Sequence, residues 1–241
     1  MSATYAIADL HGRFDLLCSA LSAIEADAGD AGGTFICLGD FVDRGPQSRA
    51  IIDLLMAGPS LPNWRWIVLQ GNHEEMMIRC LSNPGLMRWW LGNGGNRTLM
   101  SYGYRNGDQI FPLRIPPEHI EWLGSLPVTH EDEQRIFVHA GVPFDQQVAD
   151  AKPEILQWML YPGDVDHGDA DFYPDEPHIS GKHIVHGHHQ SATHPLLKAH
   201  RTNLDSYAWY TGRLAIGVFN NERPQPERIL EVFGEPHEAA A

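Results

Sequence analysis

Five short segments of this chain concentrate residues able to do chemistry: Asp9-Leu10-His11-Gly12, Gly39-Asp40-Phe41-Val42-Asp43-Arg44-Gly45, Gly71-Asn72-His73-Glu74, His139-Ala140-Gly141 and His186-Gly187-His188. Each follows an apolar run and offers Asp, Asn or His, donors that divalent transition metals prefer. Together they describe a two-metal site that hydrolyses a phosphoester. Asp9 and His11 are two apart on one turn and can converge on a single metal. Asp40 is the natural bridge, and Asn72, His139 and His188 can complete the second metal. Six protein ligands for two metals leave positions open for water and substrate, the mark of a catalytic rather than structural site. His186, His188 and His189 compete for one role; the Gly-His step favours His188, because glycine lets the backbone turn the next side chain inward.

Two metals about 3.5–4 Å apart activate a bridging water and hold phosphoryl oxygens for in-line displacement. No nucleophilic side chain is then needed, but the leaving alkoxide needs a proton. His73, next to Asn72, is free to supply it as general acid. Asp43 can pair with His73 and keep it protonated. Arg44 is placed to clamp phosphate oxygens with its planar fork.

Ligands on turns need a rigid sheet beneath them. Short runs rich in Ile, Val and Phe predict strands at 4–8, 34–38, 66–69, 135–138, 183–185, 202–204, 214–219 and 228–232. Helices are expected at 13–28, 47–56, after Glu74 and at 118–123. The first carries Phe14, Leu17, Leu21 and Ile24 at helical steps. Alternating strands and helices in the first 80 residues point to βαβ units. The closing third holds more strands, so the expected fold is α/β, a two-sheet β-sandwich flanked by helices. One domain spanning 1–241 is expected, with a tryptophan-rich helical insertion at about 83–130 and an irregular acidic loop at 163–178.

A net charge of −14 argues against nonspecific nucleic-acid or anionic-membrane binding, which wants a basic face. No apolar run approaches the ~20 residues of a membrane span. The start of the chain lacks the basic, then apolar, pattern of a signal peptide, so a cytoplasmic location is the expectation. Cys18, Cys37 and Cys80 have no metal or disulfide spacing and are expected as reduced core residues.

The five segments resemble the metal-dependent phosphoprotein phosphatases, the calcineurin-like metallophosphoesterases: Asp-x-His-Gly, Gly-Asp-x-Val-Asp-Arg-Gly, Gly-Asn-His-Glu, His-Ala-Gly and Gly-His. The likeness is nearest to small bacterial serine/threonine phosphatases and symmetrical diadenosine tetraphosphatases. It extends to Trp90-Leu91-Gly92-Asn93-Gly94-Gly95 and to Asn203-Leu204-Asp205 with Thr211-Gly212-Arg213-Leu214. The resemblance implies a four-layer sandwich fold and two divalent ions, manganese first, with iron or zinc as alternatives. It implies Asp9, His11 and Asp40 on one ion, Asp40, Asn72, His139 and His188 on the other, a His73–Asp43 acid dyad, and Arg44 on phosphate.

One departure stands out. Bacterial members carry a second phosphate-binding arginine after His-Ala-Gly, whereas Leu156-Gln157-Trp158-Met159-Leu160-Tyr161 has none. Losing such a charge-assisted contact weakens binding by roughly 1.5–3 kcal/mol, unless Arg97, Arg201 or Arg213 replaces it. The Val42-Asp43-Arg44-Gly45 run and Glu74 favour the protein-phosphatase branch, so a phosphoprotein or phosphorylated small molecule is the expected partner. The missing arginine and the tryptophan-rich insertion keep hydrolysis of a dinucleoside polyphosphate as the alternative. A non-catalytic phosphate-binding module is the third reading, disfavoured by the acid dyad.

Overall fold

The computed structural model describes residues 3–112, 114–163, 172–191, 193 and 195–236. Within these the strands are β1 (Ala3–Ile7), β2 (Gly33–Cys37), β3 (Trp64–Val68), β4 (Thr129–Glu131), β5 (Arg135–Val138), β6 (His183–His186), β7 (Leu196–Leu197), β8 (Arg201–Asn203), β9 (Arg213–Phe219) and β10 (Arg228–Phe233). The helices are α1 (Phe14–Ala28), α2 (Ser48–Ala57), α3 (Asn72–Ser82), α4 (Met87–Trp90), α5 (Asn96–Ser101), α6 (Pro117–Ser125), α7 (Pro153–Trp158) and α8 (Ala208–Thr211).

The leading strands are apolar on both faces, a pattern only a sheet covered on both sides can use. Successive strand residues point to opposite faces. Tyr5 and Ile7 of β1 and Phe35 and Cys37 of β2 therefore join Leu17, Ile24, Ile51 and Leu55 of the helices in one buried cluster. Ala6, Ala8, Ile36, Leu38, Ile67 and Leu69 point the other way and meet Phe137 and Val185 of a second sheet. Ile136, Val138 and Ile184 cover that sheet's far face against Leu156 of α7. These buried layers make the chain an α/β sandwich with flanking helices, as the strand count implied.

Both sheets have five strands, ordered β10-β9-β1-β2-β3 and β4-β5-β6-β8-β7. The β1, β2 and β3 pairings are parallel, and β9 runs antiparallel to β1. β5, β6 and β8 are mutually parallel. Parallel order puts the ends of β1, β2, β3, β5 and β6 on one side, where the five sequence segments emerge.

Predicted strands fall within two residues of those observed. β4 and β7 were not anticipated; three and two residues are too few to show an alternation. The third helix begins at Asn72 rather than after Glu74, because the Glu74 carboxylate folds back to accept the Gly71 N–H and caps it. Cys37 and Cys80 are buried, but Cys18 is exposed, which corrects its placement in the core. On α1 the buried positions are Leu16, Leu17, Ala20 and Ile24, and Cys18 lies off that stripe. Much of the expected acidic loop, 164–171, lies outside the described residues. Among the described residues no helix is long and apolar enough to cross a membrane.

Candidate metal centre

The turns that carry the candidate ligands are wound in a conformation most residues avoid. Six non-glycine residues among those described have left-handed φ: His11, Asp40, Asp43, Arg44, His188 and Tyr207. Five of them are predicted site residues. Such backbone costs of order 1–3 kcal/mol per residue and persists only where the surroundings enforce it. Much of the enforcement here comes from Glu74. Its two oxygens accept the backbone N–H groups of Asp40, Phe41 and Val42 at 2.8–3.1 Å, in addition to that of Gly71. One buried carboxylate thus ties the turn after β2 to the start of α3.

Asp9, His11, Asp40, Asn72, His73 and His188 line one cavity of about 220 Å³, together with Arg44, Asn93, Trp158, Leu160 and Gln190. His139 is fully buried at its floor. Its Nδ1 lies 3.0 Å from the Leu38 carbonyl, which turns Nε2 toward Asp40, 3.4 Å from Oδ1. His188 Nδ1 points at the same place, 3.2 Å from His139 Nε2. Of the three competing histidines, it is the one lining the cavity. His11 Nδ1–H donates to the Val42 carbonyl at 2.8 Å, so its Nε2 faces Asp40 Oδ2 at 3.7 Å. Asp9 Oδ2 accepts the His188 backbone N–H at 2.9 Å. A Cβ on Gly187 would sit 2.1 Å from that same oxygen, so only glycine lets the two turns approach.

Two groups of donors stand close enough to share an ion: His11, Asp40 and His73, and Asp40, His139 and His188. Asn72 supplies the sharper test. Its inward side-chain oxygen lies 2.9 Å from His139 Nε2 and 3.0 and 3.2 Å from the Asp40 oxygens, with acceptors on every side. Turning the amide nitrogen inward would satisfy all three contacts in a metal-free protein. With oxygen inward, a cation between the groups satisfies the same set. The residues therefore fit a pair of divalent ions sharing Asp40.

The electrostatics carry the same demand. Burial, reinforced by Asp205, holds the Asp9 carboxyl well above the usual carboxylate range. Burial would also lower His139, yet the Asp40, Asp9 and Glu74 carboxylates push it up to about 10. For Asp40, burial is outweighed by the facing His139 and His73 rings, and its carboxyl stays well below the usual range. Burial and the Arg44 charge keep His11 neutral, in the form that ligates. Buried carboxylates in this concentration call for positive charge, which a bound ion supplies.

His73 is placed beside this cluster rather than behind it. Its Nδ1 lies 2.7 Å from Asp43 Oδ2, and its Nε2 is 3.9 Å from Asp40 Oδ2. Asp43 is fully buried and satisfied: Trp90 Nε1–H donates to both oxygens at 2.9 and 3.1 Å, and Thr98 Oγ1–H to Oδ1 at 2.7 Å. Trp90 and Thr98 were not named as site residues. Their only sequence signal was their place around the Asn93-Gly94-Gly95 segment, where Gly94 has φ 103° and its carbonyl accepts the Arg44 N–H.

Arg44 reaches across the cavity mouth. Its Nη1 donates to His11 Nε2 at 2.9 Å and Gln190 Oε1 at 3.1 Å, and Nη2 to His73 Nε2 at 3.2 Å. It is the one arginine among the cavity's lining residues. Where a second was sought, Gln157 donates to Gln70 Oε1 at 3.0 Å and fixes the end of α7, so Trp158 and Leu160 form the wall. Of the three candidate substitutes, Arg201 is fully buried and paired with Asp175. Arg213 pairs with Glu231. Arg97 lies in an adjoining groove.

The comparisons with known proteins accord with this fold and this site. Residues 3–234 match the calcineurin-like phosphoesterase family, and the chain belongs to it. Among curated relatives, a symmetrical bis(5'-nucleosyl)-tetraphosphatase from Methylobacillus flagellatus is 29% identical over 140 residues, 58% of this chain and 43% of that protein. Serine/threonine-protein phosphatase 1 of Salmonella typhimurium is 28% identical over 141 residues, 58% of this chain and 59% of that protein. Both matches span less than two thirds of the relative's length. Among solved structures, a candidate diadenosine tetraphosphatase superposes with a TM-score of 0.67 at 20% identity, covering 97% of this chain and 94% of that one. The chain is thus a member of the calcineurin-like phosphoesterase family whose curated relatives divide between nucleotide and phosphoprotein hydrolases.

Proposed function

We propose that the chain hydrolyses phosphate monoesters of serine or threonine, with tyrosine also admitted, through a dinuclear site and His73 as general acid. The observation that carries this reading is the ring of donors about Asp40 with a carboxylate-held imidazole at its side. Asp9, His11 and Asp40 would hold one ion, and Asp40, Asn72, His139 and His188 the other. Bound there, two divalent ions supply Lewis-acid charge to the phosphoryl oxygens and lower the pKa of water. Arg44 lies across the mouth, where an arriving phosphate offers its fork a bidentate acceptor in place of two ring nitrogens. Once a phosphate draws the Arg44 fork away from His73 Nε2, that nitrogen is free to carry the proton that passes to the leaving oxygen, while Asp43 holds the opposite ring nitrogen in register. Trp90 and Thr98 hold the Asp43 carboxylate in place through their donated hydrogen bonds.

A second reading, hydrolysis of a dinucleoside polyphosphate, is favoured by the wall of Trp158 and Leu160 where a second arginine was sought. Phosphate release after chelation and manganese addition, from phosphoserine peptides and diadenosine tetraphosphate side by side, tests both. Faster release from the peptides supports the first reading, and faster cleavage of the dinucleotide supports the second. Turnover of neither would refute both.

A further inference from the structure

The catalytic cavity does not end at Arg44. Two further cavities adjoin it, of about 350 and 370 Å³. Arg44 lines all three, Asn93 lines the catalytic cavity and the first of these, and Arg97 and Trp209 line both of the outer ones. The result is one groove, much larger than a phosphoryl group requires, running outward from the candidate metal centre. Its organising element is the turn at 93–97. That turn puts Asn93 on the catalytic side and Arg97, in the first turn of α5, on the outer side. Gly94 keeps the turn against Arg44; a Cβ there would stand 2.8 Å from the Arg44 nitrogen.

We propose that Arg97 and Trp209 form a second subsite that holds the leaving group of a nucleoside polyphosphate, a phosphate on Arg97 and the base on Trp209. This rests on the second reading above, hydrolysis of a dinucleoside polyphosphate, and assigns the residues that would hold its leaving nucleotide. Arg97 is exposed and makes no ion pair among the described residues, although Asp15 and Glu235 line the same groove and the chain carries a charge of −14. Asp15 is taken by Arg13 at 2.7 Å. A guanidinium left open beside a phosphate-handling cavity suits a second phosphate. Trp209 is half-buried, with the Arg44 guanidinium 5.7 Å from its ring centroid. Tyr207 and Tyr210 meet it edge to face, with centroids at 5.4 and 5.9 Å, and hold the ring in place. A tryptophan fixed in this way is a stacking platform, worth about 1–3 kcal/mol per base in other proteins. A phosphoserine side chain offers nothing flat to it.

Trp209 sits in the segment that joins β8 to β9. Asp205 and Thr211-Gly212 are separated by Ser206-Tyr207-Ala208-Trp209-Tyr210, and Tyr207 takes φ 58° to start the short helix α8. The residues between Asp205 and Thr211 therefore build one wall of the groove.

The test compares wild type with Arg97→Gln, Trp209→Leu and Trp209→Phe in the manganese-loaded protein. Calorimetric titration with ADP and with inorganic phosphate gives the binding readout. Expected are tighter binding of ADP than of inorganic phosphate, and a loss of about tenfold in ADP affinity for Arg97→Gln and Trp209→Leu. Trp209→Phe keeps a ring and should retain most of the affinity, which separates stacking from misfolding. In turnover, kcat/KM for diadenosine tetraphosphate should fall about tenfold more than that for para-nitrophenyl phosphate, through KM. Equal ADP affinity in all four proteins overturns the subsite. So does a preference for phosphopeptides that Arg97→Gln abolishes, which would assign the groove to acidic peptide side chains. Absence of turnover with any phosphoester, while the ADP preference persists, sinks the catalytic reading and leaves the subsite standing.

Discussion

Asp43 Oδ2 and His73 Nδ1 lie 2.7 Å apart in a wall where the two side chains are 0% and 2% exposed, so neither can exchange its partner for water. A proton donor held in this way should matter most where the leaving oxygen is basic. His73→Asn should lower kcat on a phosphoserine peptide by about 10²–10³-fold. It should cost much less on para-nitrophenyl phosphate, whose leaving phenolate is stable unprotonated. Metal content should be unchanged. Equal losses on both substrates would rule out the general-acid role.

Trp90 is fully buried, and its indole N–H is shared between the two Asp43 oxygens. Trp90→Phe keeps most of the volume and removes the donor. Expected is a stability loss of about 1.5–3 kcal/mol, the worth of a bond to a charged group, with a lower kcat and an unchanged KM. Urea unfolding and steady-state kinetics on one preparation check both. A rise in KM at constant kcat would instead place Trp90 in substrate binding.

Asp40 is the acidic member of both donor groups. Its replacement by Asn should therefore disturb both ions at once, leaving well under one equivalent of manganese after dialysis and no measurable turnover. Asn72→Ala touches only one group and should leave about one equivalent. Metal analysis of the two variants decides it, and equal retention would show that Asp40 is not shared.

Acid sensitivity should centre in part on His183. Burial, with help from the Arg135 charge, lowers its imidazole to about 4, while Nε2 is bonded to Thr202 Oγ1 at 2.9 Å. The unfolded chain takes up this proton near the ordinary histidine value of about 6.5, whereas the folded chain refuses it until about 4. The contribution to stability is thus present above pH 6.5 and lost between 6.5 and 4. At one site the loss is about 3 kcal/mol. His183→Gln should flatten the fall in unfolding free energy across that interval by this amount. Parallel profiles would show that His183 does not set it.

What the sequence determined by itself is the fold class and the turns on which the candidate donors sit, and the reason is locality. Each strand-to-turn step, such as Ile7 to His11 or Val138 to His139, is encoded within about ten residues, because strand alternation and turn residues are short-range properties. Order along the chain then carries those donors to one side of a parallel sheet. Cys18 was misplaced because an apolar neighbourhood does not say which side of a helix faces in. Only the tertiary structure could decide the rest. It set Trp90 and Thr98 on Asp43, tied Glu74 to the turn at 40–42, made Trp158 the wall where an arginine was sought, and opened the groove between Arg97 and Trp209. These pairs are far apart in the chain and follow no repeat, so they depend on how packed layers bring distant turns together.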